Sequence, residues 1–286
     1  MNVVVVIVTK DRPADVQRCL ESIQRQTVPC GCIVVDGSTS AEPTVQKFPY
    51  QYYQSAPGIT KQRNLARQHV PPDTDIVIYC DDDTVWTDHV IEQVIGNFHD
   101  EQVVGVTGNF SNEQPYGVLK KIFGILTCTY TAQPFGITRG VFNIINPVIS
   151  KQTVSWLPGA FMCYRWSVVK DIPFDEWFAG YGLGEDFDFS YRVAKLGKLV
   201  ADPTIAVEHH HSSLNRDWEK FGFMRINNRA YLRRKFWPRR LDYWLGLWWA
   251  NGWLLVINAI RSVYSIRFRN EFIGELKALF RVNSSA

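Results

Sequence analysis

No two cysteines stand in a CxxC arrangement, and the six present (Cys19, Cys30, Cys32, Cys80, Cys128 and Cys163) are too scattered for a disulfide framework. That argues against a disulfide-stapled scaffold or a paired-thiol zinc site, and fits reduced thiols in a cytosolic compartment. Cys30-Gly-Cys32 reads as a loop and strand-edge pair of small residues. The apolar residues 3–8 lack a basic leader and are too short for a signal peptide, so a buried strand is predicted there. No apolar run before residue 241 is long enough to span a bilayer. Internal repeats and low-complexity segments are missing too, which removes solenoids and disordered chains.

What is present is a chain of 286 residues, 46% of them hydrophobic, enough for a folded body with a full core. The net charge of +3 conceals an asymmetry. Up to His211 there are 17 Lys+Arg against 23 Asp+Glu, a net of −6; beyond it there are 14 against 5, a net of +9. An acidic body and a basic tail imply an anionic partner for the tail.

The β-branched run 3–8 has the pattern of a parallel strand covered on both faces. Pro13 suits the first turn of the helix carrying Val16, Cys19, Leu20 and Ile23. Strands are predicted at 32–35, at 45–53 and at 76–80, with a helix after Gly58 that carries Lys61, Arg63, Asn64 and Arg67. This alternation predicts an α/β fold with a mostly parallel central sheet flanked by helices. Ligands of such sheets gather beyond the carboxyl ends of the strands, where Thr9, Asp11, Asp36 and Asp81–Asp83 all fall. Residues 111–150 show no clear period and read as an irregular insert on the acceptor side. Helical patterns resume near Ser167 and after Gly184, the latter ending at Gly197 as a cap.

Three adjacent carboxylates, Asp81, Asp82 and Asp83, repel one another unless a cation holds them. In extended chain Asp81 and Asp83 point one way and Asp82 the other, and such oxygen ligands suit Mg²⁺ or Mn²⁺ on a diphosphate. An acidic turn is the bland alternative. Glu185 and Asp186, at a glycine-preceded helix start, are either dipole stabilisers or the site of a general base, with Trp177, Phe178, Tyr181 and Phe187 available for an apolar acceptor pocket. His209-His210-His211 ends an apolar stretch and can offer one or two metal ligands.

The order of these pieces resembles the inverting family-2 glycosyltransferases of the GT-A fold, and more narrowly their rhamnosyltransferase-like bacterial members. The resemblance covers roughly residues 3–240. It is carried by VVVVIVTKDRPADVQRCLESIQRQT (3–27) with IVVDGST (33–39), GITKQRNLA (58–66), YCDDDTVW (79–86), PFDEWFAGYGLGEDFDFSYRVAKLG (173–197) and DPTIAVEHHHS (202–212). It implies that Thr9, Asp11 and Asp36 line the nucleotide pocket with Arg63 beside it. Asp81 and Asp83 would hold a metal (Mn²⁺ or Mg²⁺) and the diphosphate, with Asp82 near the ribose or sugar. Gly159 would let the backbone approach the donor sugar. Asp186 would be the catalytic base, Glu185 would contact acceptor or sugar, and His209 would be the metal-associated histidine, with His211 as the fallback.

The implied activity is transfer of a hexosyl or deoxyhexosyl group, with inversion, from a nucleotide-sugar (UDP- or dTDP-sugar favoured) to a glycan or glycolipid hydroxyl in cell-surface polysaccharide or glycolipid synthesis. Only one aspartate, Asp36, precedes Gly37-Ser38 where the family often has two, which leaves the preferred nucleotide open. The alternatives are a nucleotidyltransferase or phosphohydrolase using the same acidic cluster, and a non-catalytic nucleotide-sugar-binding protein. The first lacks its glycine-rich phosphate loop after the first strand, and the presence of both Asp83 and Asp186 disfavours the second.

The expected division is a catalytic domain at 1–214 (a nucleotide-sugar half at 1–110, an acceptor half at 111–214) and a basic, Trp-rich helical tail at 215–286. Residues 241–260 carry Trp244, Trp248, Trp249 and Trp253 with one formal charge, Asp242. The tryptophans, with Asn251 and Asn258, favour a helix lying at the headgroup level of a membrane over one that spans it or packs on the domain. No nucleic-acid module accompanies the basic stretch. The expected location is therefore cytoplasmic, peripheral on the inner face of the cell membrane.

Overall fold

A computed structural model describes residues 1–40, 47–112, 114–210 and 217–283, the last three by backbone alone. His211 and the expected boundary at 214/215 lie outside the described residues, as do positions 45 and 46 of the expected third strand. The chain divides into two compact units, Met1–Pro115 with Ile145–Ser212, and Tyr116–Ile144 with Ser213–Ala286. Tyr116–Ile144 is thus grouped with the C-terminal residues.

In the first unit the chain runs β1 (Val3–Thr9), α1 (Pro13–Gln24), β2 (Gly31–Asp36), β3 (Gln51–Gln54), α2 (Ile59–Arg67), β4 (Ile76–Asp81), β5 (Thr84–Trp86), α3 (Val90–Asn97) and β6 (Val103–Phe110). In the second unit follow α4 (Val118–Leu126) and the short pair β7 (Gly136–Ile137) and β8 (Asn143–Ile144). The first unit resumes with β9 (Gln152–Thr153), β10 (Phe161–Arg165), α5 (Trp166–Val169), α6 (Glu185–Val193) and β11 (Lys198–His209). The second closes with α7 (Trp218–Phe236), α8 (Leu241–Ser262) and α9 (Ile266–Asn283).

The nine-stranded sheet of the first unit has the order β3-β2-β1-β4-β10-β6-β11-β5, with β9 paired to β11. β3, β2, β1 and β4 are mutually parallel, and every residue of β1 is buried, as an unbroken β-branched run requires when helices cover both faces. Register then does the positioning. Thr9 pairs with Asp36, and Val8 with Asp81, so the polar residues that end three strands stand along one edge. Antiparallel pairing of β11 with β5 brings His209 opposite Thr84, and His210 N–H donates to the Asp83 carbonyl at 2.9 Å.

Pro13 does open α1. Gly197, expected as a left-handed helix cap, has another role. The residue after α6, Ala194, is right-handed, and a Cβ on Gly197 would come within 2.4 Å of Val104 Cγ1, so glycine there permits close packing. The stretch 111–150, expected to be irregular, contains α4, whose nine residues span too short a window to stand out among the aromatics, glycines and prolines around them.

The second unit packs α7 on α9 through two glycines. A Cβ on Gly222 would lie 2.1 Å from the Glu271 carbonyl oxygen, and one on Gly274 would lie 1.9 Å from that of Glu219. Arg225 pairs with the buried Glu271 (2.9 Å) and Glu275. Among the described residues no helix is long and apolar enough to cross a membrane.

Candidate active site

The three carboxylates at the end of β4 point in two directions. Asp82 is buried and accepts from the Thr9 hydroxyl (2.7 Å) and from Arg12 Nη1 (3.0 Å). Arg12 Nη1 also lies 3.4 Å from Asp83 Oδ2. Asp81 and Asp83 turn instead toward His209, whose Nε2 stands 3.1 Å from Asp83 Oδ1. One ligand atom each from Asp81, Asp83 and His209 falls within 4.8 Å of the others, the only such group among the described residues. Two carboxylates and an imidazole are a donor set that fits a hard-to-borderline divalent ion such as Mn²⁺ or Mg²⁺.

Burial pushes Asp82 up to about 7, against the opposing pull of Arg12 and the Thr9 hydrogen bond. Burial also works against the charge on Arg12, but Asp82 and Asp83 outweigh it and hold the guanidinium above its ordinary value. Arg12 is not singled out by the sequence, where it is one of two cations, with Lys10, in the turn after β1.

Asp36, Asp11 and Thr9 share one corner. Asp36 is fully buried, and its oxygens accept from Ser38 N–H (2.8 Å), Ser38 hydroxyl (2.5 Å) and Tyr52 hydroxyl (2.7 Å). Ser38 Oγ in turn accepts from the Asp11 N–H at 2.8 Å, holding Asp11 at φ 55° with its side chain exposed. Asp36 thus acts on this corner through Ser38. Gln62, also unforeseen, ties it to α2 by donating to the Thr9 and Val35 carbonyls at 2.9 Å each.

Arg63 follows Gln62 on α2. Its side chain is fully buried between the end of β4 and the start of α6, pairing with Glu185 and with Asp81 (3.2 Å) and donating to the Gly159 carbonyl (3.0 Å). Phe174, stacked on Phe189 at 4.1 Å, lies under the guanidinium at 5.4 Å. Arg63 thus stands between Asp81 and Glu185, one residue along α2 from the Gln62 that holds the Thr9 corner. Gly159 is the joint of this arrangement, since its N–H donates to Asp186 Oδ2 at 2.9 Å while its carbonyl receives Arg63. A Cβ there would press on Glu185 Oε1 at 3.2 Å and Asp186 Cβ at 3.3 Å. The loop before α6 needs glycine at three positions, Gly180, Gly182 and Gly184, with φ of 67°, 72° and 92°. Of the aromatics flanking it, Trp177 and Tyr181 are exposed while Phe178 and Phe187 are buried.

Glu185 is buried, and its Oε2 has no hydrogen-bond partner. Burial pushes it up to about 8 despite Arg63. Asp186, half-buried, is likewise raised by burial, with the N–H groups of Gly159 and Phe187 opposing. In the metal-free protein Glu185 therefore keeps a proton that the unfolded chain loses above about pH 4.5. Its contribution to stability is complete below that pH and is lost as pH rises through about 8. Urea midpoints of the wild type and Glu185→Gln, compared at the two ends of this window, are expected to show a smaller decline in the variant. An equal decline would remove Glu185 as its source.

Arg63→Met leaves Glu185 and Asp81 facing each other without their shared cation. A loss of roughly 3–5 kcal/mol is expected where Glu185 is ionised, and less at acidic pH, where it takes up a proton. A denaturant titration at the two pH values measures both; an equal loss at each would contradict the pairing.

The sequence profile of "Glycosyl transferase family 2" matches residues 4–146, half of the chain. The chain belongs to glycosyl transferase family 2. A pre-mycofactocin glycosyltransferase of Mycobacterium tuberculosis is 36% identical to this family-2 chain over 74 residues, 25% of this chain and 15% of its own length. The chain therefore matches well under two thirds of that relative. Among solved structures it is similar to the mannosyltransferase PcManGT from Pyrobaculum calidifontis in complex with GDP-Man and Mn²⁺. The TM-score is 0.55 at 13% identity, covering 98% of this chain and 87% of that one. It is also similar to GalNAc-T7 with UDP, GalNAc and Mn²⁺, with a TM-score of 0.64 at 12% identity over 84% of this chain and 48% of that one. S. aureus TarS gives 0.52 at 14%, over 94% and 50%. At such identities the likeness concerns the fold, the GT-A arrangement of a family-2 transferase.

Proposed function

We propose that this family-2 transferase moves a hexosyl or deoxyhexosyl group from a nucleotide-diphosphate sugar, UDP- or dTDP-linked by preference, to a hydroxyl of a glycan or glycolipid, with inversion. The observation that carries the reading is Arg63, one buried cation joining the Asp81 side of the acidic cluster to the Glu185–Asp186 helix start. Cell-surface polysaccharide synthesis, the rhamnosyltransferase-like subtype and a peripheral place on the inner membrane face belong to the same proposal. So does the assignment of catalysis to the first compact unit and membrane contact to the second.

In this mechanism Thr9, Asp11 and Asp36 form the corner that receives the nucleoside. Asp81, Asp83 and His209 would hold Mn²⁺ or Mg²⁺, which when bound neutralises charge on the departing diphosphate. Asp186 takes the proton of the acceptor hydroxyl as its oxygen bonds to the anomeric carbon. The bond from that carbon to the diphosphate oxygen breaks on the opposite face, its electron pair leaving with the nucleoside diphosphate. One displacement inverts the centre, and no sugar–enzyme bond is formed. Burial of Asp186 favours this role, since a raised carboxylate is a stronger base. Glu185, with its free Oε2, contacts acceptor or sugar.

The test is nucleotide release from a panel of UDP-, dTDP- and GDP-sugars with Mn²⁺. Release from one donor, abolished by chelation, is expected. Silence across the panel together with no nucleotide-induced thermal shift would overturn the reading.

A further inference from the structure

Two helices of the second unit are built with their apolar sides outward. At about 100° per residue, Val118, Leu119, Ile122, Ile125 and Leu126 share about a third of the circumference of α4, and all are exposed, Leu119 by 83%. The opposite side carries Gly124, buried, where a Cβ would meet Tyr130 Cβ at 2.4 Å. In α8 the exposed residues are Leu241, Trp244, Leu245, Trp248 and Trp249, continued by Val256 and Ile260. Its buried side carries Gly246, Ala250, Asn251 and Asn258. The two asparagines, read from the sequence as headgroup contacts, face inward instead. Asn251 accepts from Arg229 at 2.8 Å and Asn258 donates to Glu275 at 2.8 Å. A helix on a water-facing surface has the reverse arrangement.

The two outward faces are joined. Trp249 Nε1 donates to the Leu126 carbonyl at 2.8 Å, and the Phe123 and Trp253 rings meet edge to face at 5.6 Å. Charge selects the occupant. Tyr116–Ile144 and Ser213–Ala286 together hold 17 Lys+Arg against 5 Asp+Glu, a net of +12. Two of the five acids, Glu271 and Glu275, are buried. Lys120, Arg239, Arg240 and Arg261 are exposed on or beside the two helices. Such a charge repels the same face of a second copy and attracts an anionic surface.

We propose that α4 and α8 form one surface that docks, in plane, into the headgroup and upper acyl region of an anionic bilayer. The inference rests on the membrane reading given above and deepens it, adding an element outside the tail and excluding a spanning α8. Tryptophans at the headgroup level and cations around an apolar face are what interfacial helices use.

The experiment is flotation of the full chain with phosphatidylcholine vesicles, with and without phosphatidylglycerol. Wild type is expected to float with the anionic vesicles. Leu119→Glu/Ile125→Glu on α4 and Trp248→Glu on α8 are each expected to weaken binding by at least about tenfold, with donor turnover in solution unchanged. Full binding by the α4 variant while the α8 variant fails would overturn the joint surface and leave the tail reading standing. Wild type that ignores both vesicles would overturn both. A dimer by light scattering that the variants dissociate, without flotation, would replace the bilayer by a second copy. Should either variant misfold, quenching of wild-type tryptophan fluorescence by brominated acyl chains decides, and absence of quenching rejects the docking.

Discussion

Asp186→Asn is expected to lower kcat by about 10²–10⁴-fold, the range a positioned general base supplies, while donor affinity changes little. The substitution is conservative where it matters. An asparagine oxygen can still accept the Gly159 N–H now 2.9 Å from Oδ2, so the β10-side loop and the start of α6 stay joined. What is lost is the ability to take a proton, together with the acceptor for the neighbouring Phe187 N–H, now 2.8 Å from Oδ1. Because burial holds Asp186 above the ordinary carboxylate value, the acid limb of the wild-type kcat/KM profile is expected above the usual carboxylate range, and it should vanish from whatever activity the variant retains. Steady-state nucleotide release across pH, with calorimetric donor binding, measures both. Turnover within tenfold of wild type would assign the base elsewhere.

Asp83→Ala is expected to have opposite effects on metal binding and on metal-free stability. Its carboxylate stands 3.1 Å from His209 Nε2 and belongs to the group that includes Asp81, so removing it deletes a ligand and the histidine's carboxylate neighbour. Mn²⁺ affinity should fall by at least about a hundredfold, beyond the usual cost of losing a supporting contact. Metal-dependent nucleotide binding should fall with it. Without metal, however, one of three crowded carboxylates is gone while Arg12 still pairs with Asp82, so the fold should be as stable as wild type or more so. Mn²⁺ titration and a thermal melt in chelator test the two signs. An unchanged titration would remove Asp83 from the metal site; a large fall in metal-free melting temperature would make its role structural.

Some of the site was legible because its residues sit at strand ends. A buried β-branched run must stop where polar residues begin, and in a parallel sheet those stops line up, so Thr9, Asp36 and Asp81 share an edge. The separation of Asp82 from Asp81 and Asp83 follows from local chain direction alone. The partners of Arg63 are not legible, for the opposite reason. Its partner Glu185 is 122 residues away, and nothing local distinguishes a helix-borne arginine that reaches a nucleotide from one that reaches a distant carboxylate. Arg12 was missed because its meaning arises only when α1 is laid beside the loop after β4.

The alternation of strands and helices, the carboxylates at their ends and the basic tail are readable from neighbours within a few residues, and the family resemblance from the order of short motifs along the chain. Long-range packing sets which cation joins the two carboxylate groups, that Tyr116–Ile144 groups with the C-terminal helices, and which way α4 and α8 face. Periodicity marks an apolar stripe but carries no sign; direction comes from what occupies the other side. There Gly124, Ala250 and Asn251 admit close neighbours or bind Arg229, and the leucines and tryptophans are left outside.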